Sequence, residues 1–205
     1  NYVDSKEQVI NDELLNLISN IPHVKTSTPV FYVPLNLTVG KTIGGFAYCT
    51  VMEVEAMKEF GLPNLTYGEL PTTENPDVLI MGSMIPQVYF YNMKSRNGET
   101  YVFQPGKDKI LATMEFYDQG YQLADPNKKA QFYLGTNQAV LEANSQYDYN
   151  CYLSLETYKK WYMEAIEYLK PSDKKKAVKG LQKYAGLMIN VDNVKNVGKV
   201  EKKIK

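Results

Sequence analysis

Each end of the chain carries an amphipathic helix next to an extended segment, and this arrangement limits the possible folds more than any other sequence feature. Near the amino-terminal end, Ser5 and Gln8 form a capping-box pattern, and Pro22 closes the predicted helix. Near the other end, the apolar run 187–191 predicts a strand, and Asn193 is a suitable cap for a final helix. Residues that recur at helical spacing are Leu14, Leu17, Ile18 and Ile21 in the first helix and Val194, Val197, Val200 and Ile204 in the last. We therefore expect the two ends to form one lobe together.

The outer boundaries of these two helices are not marked in the sequence. No initiator Met precedes Asn1, and no helix-ending residue follows Lys205. We expect the chain to be cut from a longer polypeptide.

The segment after the first helix is predicted to be a long β-hairpin. Residues 24–37 form its first strand, a glycine-rich turn covers residues 39–45, and residues 46–54 return as the second strand. On the first strand, Phe31, Val33 and Leu35 alternate with Tyr32 and Asn36. Because proline cannot donate a ladder hydrogen bond, Pro29 and Pro34 favour an edge position for this strand.

The middle of the chain is predicted to be rich in strands. Residues 77–82 form a compact apolar strand, and Asn97-Gly98 is a strong two-residue hairpin signal between residues 89–93 and 100–104. Residues 109–117 predict a further strand, whereas residues 118–150 are irregular. Residues 151–155 form a strand before a helix that ends at Pro171, and Ser172 caps the following helix.

This order of elements predicts an α+β fold in two lobes. Residues 1–57 and 151–205 form an α/β lobe that contains both chain ends. Residues 58–150 form an inserted, β-rich lobe.

The charge distribution is uneven although the net charge is zero. Residues 156–205 contain 13 basic and 6 acidic side chains, so the carboxy-terminal quarter is basic. This block either contacts anionic lipid headgroups or forms solvated helix faces. Nucleic-acid binding is disfavoured because Arg96 is the only arginine. No apolar run is long enough to predict a transmembrane helix.

The sequence offers few residues suited to catalysis or metal binding. His23 is the only histidine, and no nucleophile-elbow or nucleotide-binding motif is present. Cys49 and Cys151 either pair or remain independent buried thiols. The loose carboxylate groups are Glu53 with Glu55, predicted to share one face of a strand, and Asp118 with Asp125. We predict no catalytic, cofactor-binding or metal-binding residues.

Aromatic residues are concentrated in the middle of the chain. An exposed aromatic surface could bind a peptide, a glycan or a lipid chain, but alternation along strands favours the protein core. The residues are Tyr89, Phe90, Tyr91, Tyr101, Phe103, Phe116, Tyr117 and Tyr121, with a second group at Tyr147, Tyr149 and Tyr152.

Four phrases, in order, resemble the extracytoplasmic core domain of MacB/FtsX-type ABC transporter permeases. Ile18-Ser-Asn-Ile-Pro-His-Val24 resembles the family's Ile-x-x-Ile-Pro-Gly-Val phrase, with His23 in place of glycine. The stretch from Gly68 to Gly82 is similar to the family's Gly-Arg-x-Pro phrase and its apolar strand, with Glu69 in place of arginine. Residues 152–157 and 187–204 resemble the family's strand-to-helix phrase and its last strand and helix. The resemblance covers residues 1–92 and 150–205.

This resemblance implies a ferredoxin-like lobe formed by both chain ends and an inserted β-rich lobe. It also implies a domain without catalytic activity on the outer side of the bacterial cytoplasmic membrane. Its partners would be its own transmembrane helices, a cytoplasmic ATPase, a second permease copy, and a substrate or accessory protein at the distal lobe. ATP-driven movement would then export or extract a substrate, with specificity expected in residues 93–149.

Two other functions compete with this one. A free-standing cell-surface protein could bind a glycan or a peptide through the Tyr-rich middle region. An enzyme acting on extracellular polymers through Glu53 and Glu55 is the third hypothesis.

Overall fold

The computed structural model describes residues 9–116 and 119–204. The first helix and the central hairpin are followed by a series of short strands, and helices are concentrated near the carboxy-terminal end. In chain order the elements are α1 (Asp12–Ser19), β1 (Val24–Val39), β2 (Ile43–Met52), α2 (Val54–Glu59), β3 (Leu65–Tyr67), β4 (Leu79–Met81), α3 (Ile85–Val88), β5 (Phe90–Asn92), β6 (Thr100–Tyr101), β7 (Ile110–Met114), β8 (Phe132–Gly135), β9 (Gln138–Leu141), β10 (Cys151–Ser154), α4 (Leu155–Ala165), α5 (Pro171–Gly180), β11 (Gly186–Val191) and α6 (Val197–Ile204).

The hairpin β1–β2 lies at the centre of a mixed sheet. Its main strand order is β3-β9-β4-β10-β2-β1-β7-β8, in which β10 runs parallel to β2 and β4 runs parallel to β9. Strand β11 pairs with the first half of β1, and β5 pairs with the start of β2. The strands of both predicted lobes are therefore hydrogen-bonded to one another, and elements from both chain ends pair directly.

The prediction that β1 is an edge strand is wrong. Residues 31–39 pair with β2, and residues 35–39 also pair with β7. Pro34 is tolerated because its carbonyl accepts from the N–H of Glu115, on the side away from β2. The N–H and C=O of one strand residue point to the same side, so the missing donor of Pro34 removes no bond to β2. Pro29 lies in the part of β1 that pairs only with β11.

The main hydrophobic core lies between one sheet face and α4. Phe31 contacts Tyr158 with ring centroids 4.8 Å apart, and Phe132 stacks on Trp161 at 4.5 Å. A smaller core covers the opposite face of the sheet near β4, β9 and β10. Its fully buried residues are Met57, Ile80, Ala139 and Leu141.

Several predicted boundaries are corrected by the structure. Helix α1 begins at Asp12, because the Asn11 side chain accepts from the N–H of Leu14 at 3.1 Å; the predicted cap at Ser5 lies outside the described residues. Helix α5 begins at Pro171, so Ser172 lies inside its first turn and does not cap it. The Asn97-Gly98 hairpin forms between β5 and β6, but its loop is longer than two residues. The segment 118–150 contains β8 and β9, which were not predicted.

The α+β class is confirmed, as are strands β4, β10 and β11. The division into lobes at residues 58 and 150 stays a prediction. Among the residues that the structure describes, no helix is long and apolar enough to cross a bilayer.

Candidate functional site

Exposed aromatic side chains lie on the sheet face that points away from α4. The strand register places them on this one face: Tyr48 lies opposite Pro34 and Phe46 opposite Asn36, whereas Tyr133 lies opposite Leu111, with β1 and β7 between it and β2. Because side chains alternate along a strand, these residues cannot join the core on the α4 side. We call Tyr32, Phe46, Tyr48 and Tyr133 the aromatic face.

The aromatic face is open to solvent, and most of the strand positions between its rings are uncharged. Tyr133 is 68% exposed, Tyr32 is 61% and Tyr48 is 55%, and the rings of Phe46 and Tyr48 meet edge to face at 5.1 Å. The neighbouring positions on β1 and β7 are Asn36, Thr38 and Thr113. Aromatic rings with amide and hydroxyl groups between them suit contact with a peptide, a glycan or an apolar surface.

A buried ion pair lies at the edge of this face. The carboxylate of Glu115, which is 5% exposed, accepts from Asn36 Nδ2 at 2.5 Å and from Lys129 Nζ at 2.9 Å. These bonds compensate the buried charge of Glu115. They also hold the 121–130 segment against the end of β7.

His23 lies in the turn between α1 and β1, beside the part of β1 that pairs with β11. Its Nδ1 is 3.0 Å from Asp192 Oδ2 and 3.1 Å from Asn196 Nδ2. A hydrogen bond from Asn196, with a smaller contribution from His23, lowers the pKa of Asp192. These contacts join the start of β1 to the segment after β11, so His23 has a structural role here.

The prediction that Glu53 and Glu55 share one face of a strand is wrong. Strand β2 ends at Met52, Glu53 stands directly before α2, and Glu55 lies in the first turn of that helix. With Glu156 and Lys159 they line a shallow cavity of about 320 Å³. Asp125 forms an ion pair with Lys128 at 3.6 Å, and Asp118 lies outside the described residues. No metal-binding group of three or more His, Cys, Asp or Glu occurs in residues 9–116 and 119–204.

Cys49 and Cys151 face each other on the parallel strands β2 and β10. Both are free thiols and fully buried. Burial, and then the hydrogen bond between the two thiols, raises the pKa of Cys49 well above its ordinary value. A buried thiol with a raised pKa is a poor nucleophile.

Most of the aromatic residues singled out in the sequence belong to the core or pack against it, and the half-buried ones are Tyr89, Tyr101, Tyr121 and Tyr147. Phe90, Phe103, Phe116 and Tyr152 are buried. Tyr91 and Tyr149 are exposed, and Tyr117 lies outside the described residues. Sequence reasoning missed Phe46, Tyr48 and Tyr133 as a surface. The alternation on β1 marked Tyr32 only, and the place of Tyr133 depends on a pairing between distant segments.

Solved structures similar to this chain include two domains of ABC transporters. The extracellular domain of the noncanonic ABC-type transporter YknZ from Gram-positive bacteria matches with a TM-score of 0.52 and 8% identity, over 94% of this chain and 78% of that one. The periplasmic region of MacB from Actinobacillus actinomycetemcomitans matches with a TM-score of 0.53 and 13% identity, over 98% of this chain and 74% of that one. No protein-family profile and no curated protein sequence matches the chain.

The chain therefore has the fold of MacB-type extracytoplasmic domains. The structural likeness is broader than the sequence resemblance, because it extends through most of residues 93–149 as well. At these identities the likeness concerns the fold alone.

Proposed function

We propose that this chain is the extracytoplasmic domain of an ABC transporter permease and couples ATP-driven movement to export or extraction of a substrate. The observation that carries the proposal is the fold, which matches two such domains over nearly the whole chain. ATP hydrolysis belongs to a cytoplasmic subunit or domain, and this domain itself is not catalytic. Its place is the outer side of the bacterial cytoplasmic membrane.

In this proposal both chain ends continue into transmembrane helices. The pairing of β11 with β1, and the contacts of His23 with Asp192 and Asn196, join the elements near the two ends. Movement of the membrane helices at either end would thus be transmitted to both terminal segments, because these segments are hydrogen-bonded to each other. The lysines of α5 and α6 would lie near anionic lipid headgroups.

The aromatic face is the proposed contact surface for a substrate or an accessory protein. Its large exposed rings offer apolar area with little loss of side-chain entropy on binding, since Tyr and Phe have few rotatable bonds. The inserted lobe, residues 58–150, contributes Tyr133 to this surface. A second permease copy would face this domain in the assembled transporter.

The gene that encodes the chain provides the first test. The proposal requires one hydrophobic membrane segment directly upstream and three downstream. It also requires that the tagged full-length protein, solubilised from membranes in detergent, either contains a domain that hydrolyses ATP or co-purifies with a subunit that does. Flanks without membrane segments would refute the proposal.

The second candidate is a free-standing cell-surface binding protein for a glycan or a peptide, and the exposed aromatic face favours it. It requires a secretory or lipoprotein leader upstream and no downstream membrane segments. The same inspection of the gene therefore separates the two functions.

A further inference from the structure

A cavity of about 480 Å³ lies on the α4 side of the sheet, between the end of β7, the segment 121–130 and the end of α4. Its volume lies within the usual range for small-molecule sites. The residues that line it include Met114, Phe116, Ala124, Ala165, Leu169 and Lys170.

Main-chain hydrogen bonds form one wall of this cavity in advance of any ligand. Leu123 and Leu169 are bridged in antiparallel fashion, the N–H of Ala124 donates to Tyr168 O at 2.9 Å, and the N–H of Lys170 donates to Gln122 O at 2.9 Å. The segment 122–124 is thereby fixed to the chain that follows α4. A wall held in this way needs little reorganisation on binding.

The body of the cavity is apolar. Met114, Phe116, Ala130, Ala165 and Leu169 are all buried residues of the main core that also line the cavity. These side chains offer carbon surface and no charge. The occupant of this part must therefore present an apolar body.

Of the charged side chains around the cavity, Glu115 and Asp173 are held by partners, whereas Lys170 can bind a charged ligand. Glu115 is compensated by Lys129 and Asn36. Asp173 accepts from the N–H of Gln122 at 3.0 Å and lies 3.6 Å from Lys176 Nζ. The ammonium of Lys170, by contrast, donates to a neutral group, the side-chain oxygen of Gln122, at 2.6 Å. A neutral partner leaves the positive charge of Lys170 uncompensated at the mouth.

From this arrangement we infer that the cavity binds a small amphipathic organic anion, with its apolar body against Phe116 and Leu169 and its anionic group at Lys170. Within residues 9–116 and 119–204 no carboxylate forms an ion pair with Lys170, so a cationic ligand would meet its ammonium directly. The inference concerns binding by this chain alone and does not depend on the transporter function.

Fluorescence titration of the chain tests this inference with two probes. Anilinonaphthalene sulfonate is an amphipathic anion, and N-phenylnaphthylamine is a neutral molecule of similar shape. We expect saturable binding of the anionic probe at one site per chain. Ala124→Trp, at an exposed position on the cavity wall, should lower the affinity for both probes by about tenfold or more, because the indole fills the mouth of the cavity. The matched control Ala143→Trp, in an exposed loop outside the cavity, should leave both unchanged.

The charge is tested separately with Lys170→Gln, which keeps a donor beside Gln122. We expect this variant to bind the anionic probe about fivefold more weakly, since one partly exposed charge is removed. The affinity for the neutral probe should not change. Lys175→Gln, an exposed position on α5, is the control. Near-UV circular dichroism checks that every variant keeps its packed core.

Four outcomes would overturn the inference. Absence of saturable binding, or equal binding by Ala124→Trp and Ala143→Trp, would show that the cavity is not the site. Equal loss of both probes in Lys170→Gln, or no loss of either, would refute the anionic class.

Discussion

His23 occupies the third position of a tight turn between α1 and β1. The N–H of Val24 donates to Ile21 O at 3.1 Å, Pro22 takes the second position, and His23 has φ of 79°. This is the pattern of a type II turn, which favours glycine at the third position because φ is positive there. Among the described residues, His23 is the only non-glycine residue with positive φ. The sequence shows the histidine where the resembling family has glycine, but only the structure shows why glycine is suitable.

The variant with glycine at position 23 should be more stable to unfolding than the variant with alanine there. Both His23→Gly and His23→Ala lose the contacts with Asp192 and Asn196, so they differ mainly in backbone strain. We expect His23→Gly to have a free energy of unfolding about 1 kcal/mol higher than His23→Ala in urea denaturation. At Asn20, where φ is −89°, the order should reverse. Equal stabilities of the two position-23 variants would contradict this explanation.

At the scale of elements, the junction between β10 and α4 is fixed by a buried hydroxyl network. Ser154, which caps α4, accepts from the N–H of Thr157 at 3.0 Å and lies 2.9 Å from its hydroxyl. Thr157 Oγ1 in turn donates to Asp77 at 2.8 Å, directly before β4. The network thus joins α4 to two strands of the sheet. It lies in the phrase of residues 152–157 that the sequence resemblance marked as strand-to-helix.

Removal of this buried cap should lower the free energy of unfolding more than removal of an exposed cap. We expect Ser154→Ala to lower the free energy of unfolding by about 2 kcal/mol, because the N–H of Thr157 loses its partner in a fully buried site. Asn11→Ala, at the partly exposed cap of α1, should cost about 1 kcal/mol or less. Urea denaturation measures both. Equal costs would mean that burial adds nothing to the Ser154 cap.

The predictability of the elements follows the strength of their local pattern. Strands β4 and β11 were predicted because they are short apolar runs with clear boundaries. Strands β8 and β9 were missed because polar loops surround both and leave no apolar run with clear boundaries. Pro29 and Pro34 predicted an edge strand, but a proline is tolerated in an inner strand where its missing N–H would have had no acceptor. Whether an acceptor is present depends on where the neighbouring strands end, and the local sequence does not show this.

At the scale of the whole molecule, the strand order follows neither the chain order nor the predicted lobes. Strands β4 and β10 are neighbours although some seventy residues separate them, and β8 reaches the hairpin only through β7. The α+β class could be predicted from composition and pattern. The aromatic face could be predicted only in part, since Tyr133 joins it through β7. The cavity depends on contacts between the 121–130 segment and the end of α4, which no local pattern encodes.

Buried phenols make the stability of the whole fold sensitive to alkali. Burial raises the pKa of Tyr152 to about 12 and raises the pKa values of Tyr158 and Tyr162 as well. In the unfolded chain tyrosine titrates near pH ~10, so between these values the folded state binds more protons. Stability is therefore fully present below pH ~10 and falls as pH rises through the folded pKa values, by up to about 1.4 kcal/mol per pH unit for each phenol.

We expect the urea midpoint to be constant between pH ~7 and ~9 and to fall steeply above pH ~10. Circular dichroism should report unfolding in the same pH range in which the buried phenols contribute to the rise in phenolate absorbance. Tyr158→Phe removes one buried phenol and should move the alkaline transition to higher pH, whereas Tyr133→Phe, on the exposed aromatic face, should not. A urea midpoint that stays constant to pH ~12 would show that the buried phenols do not control alkaline stability.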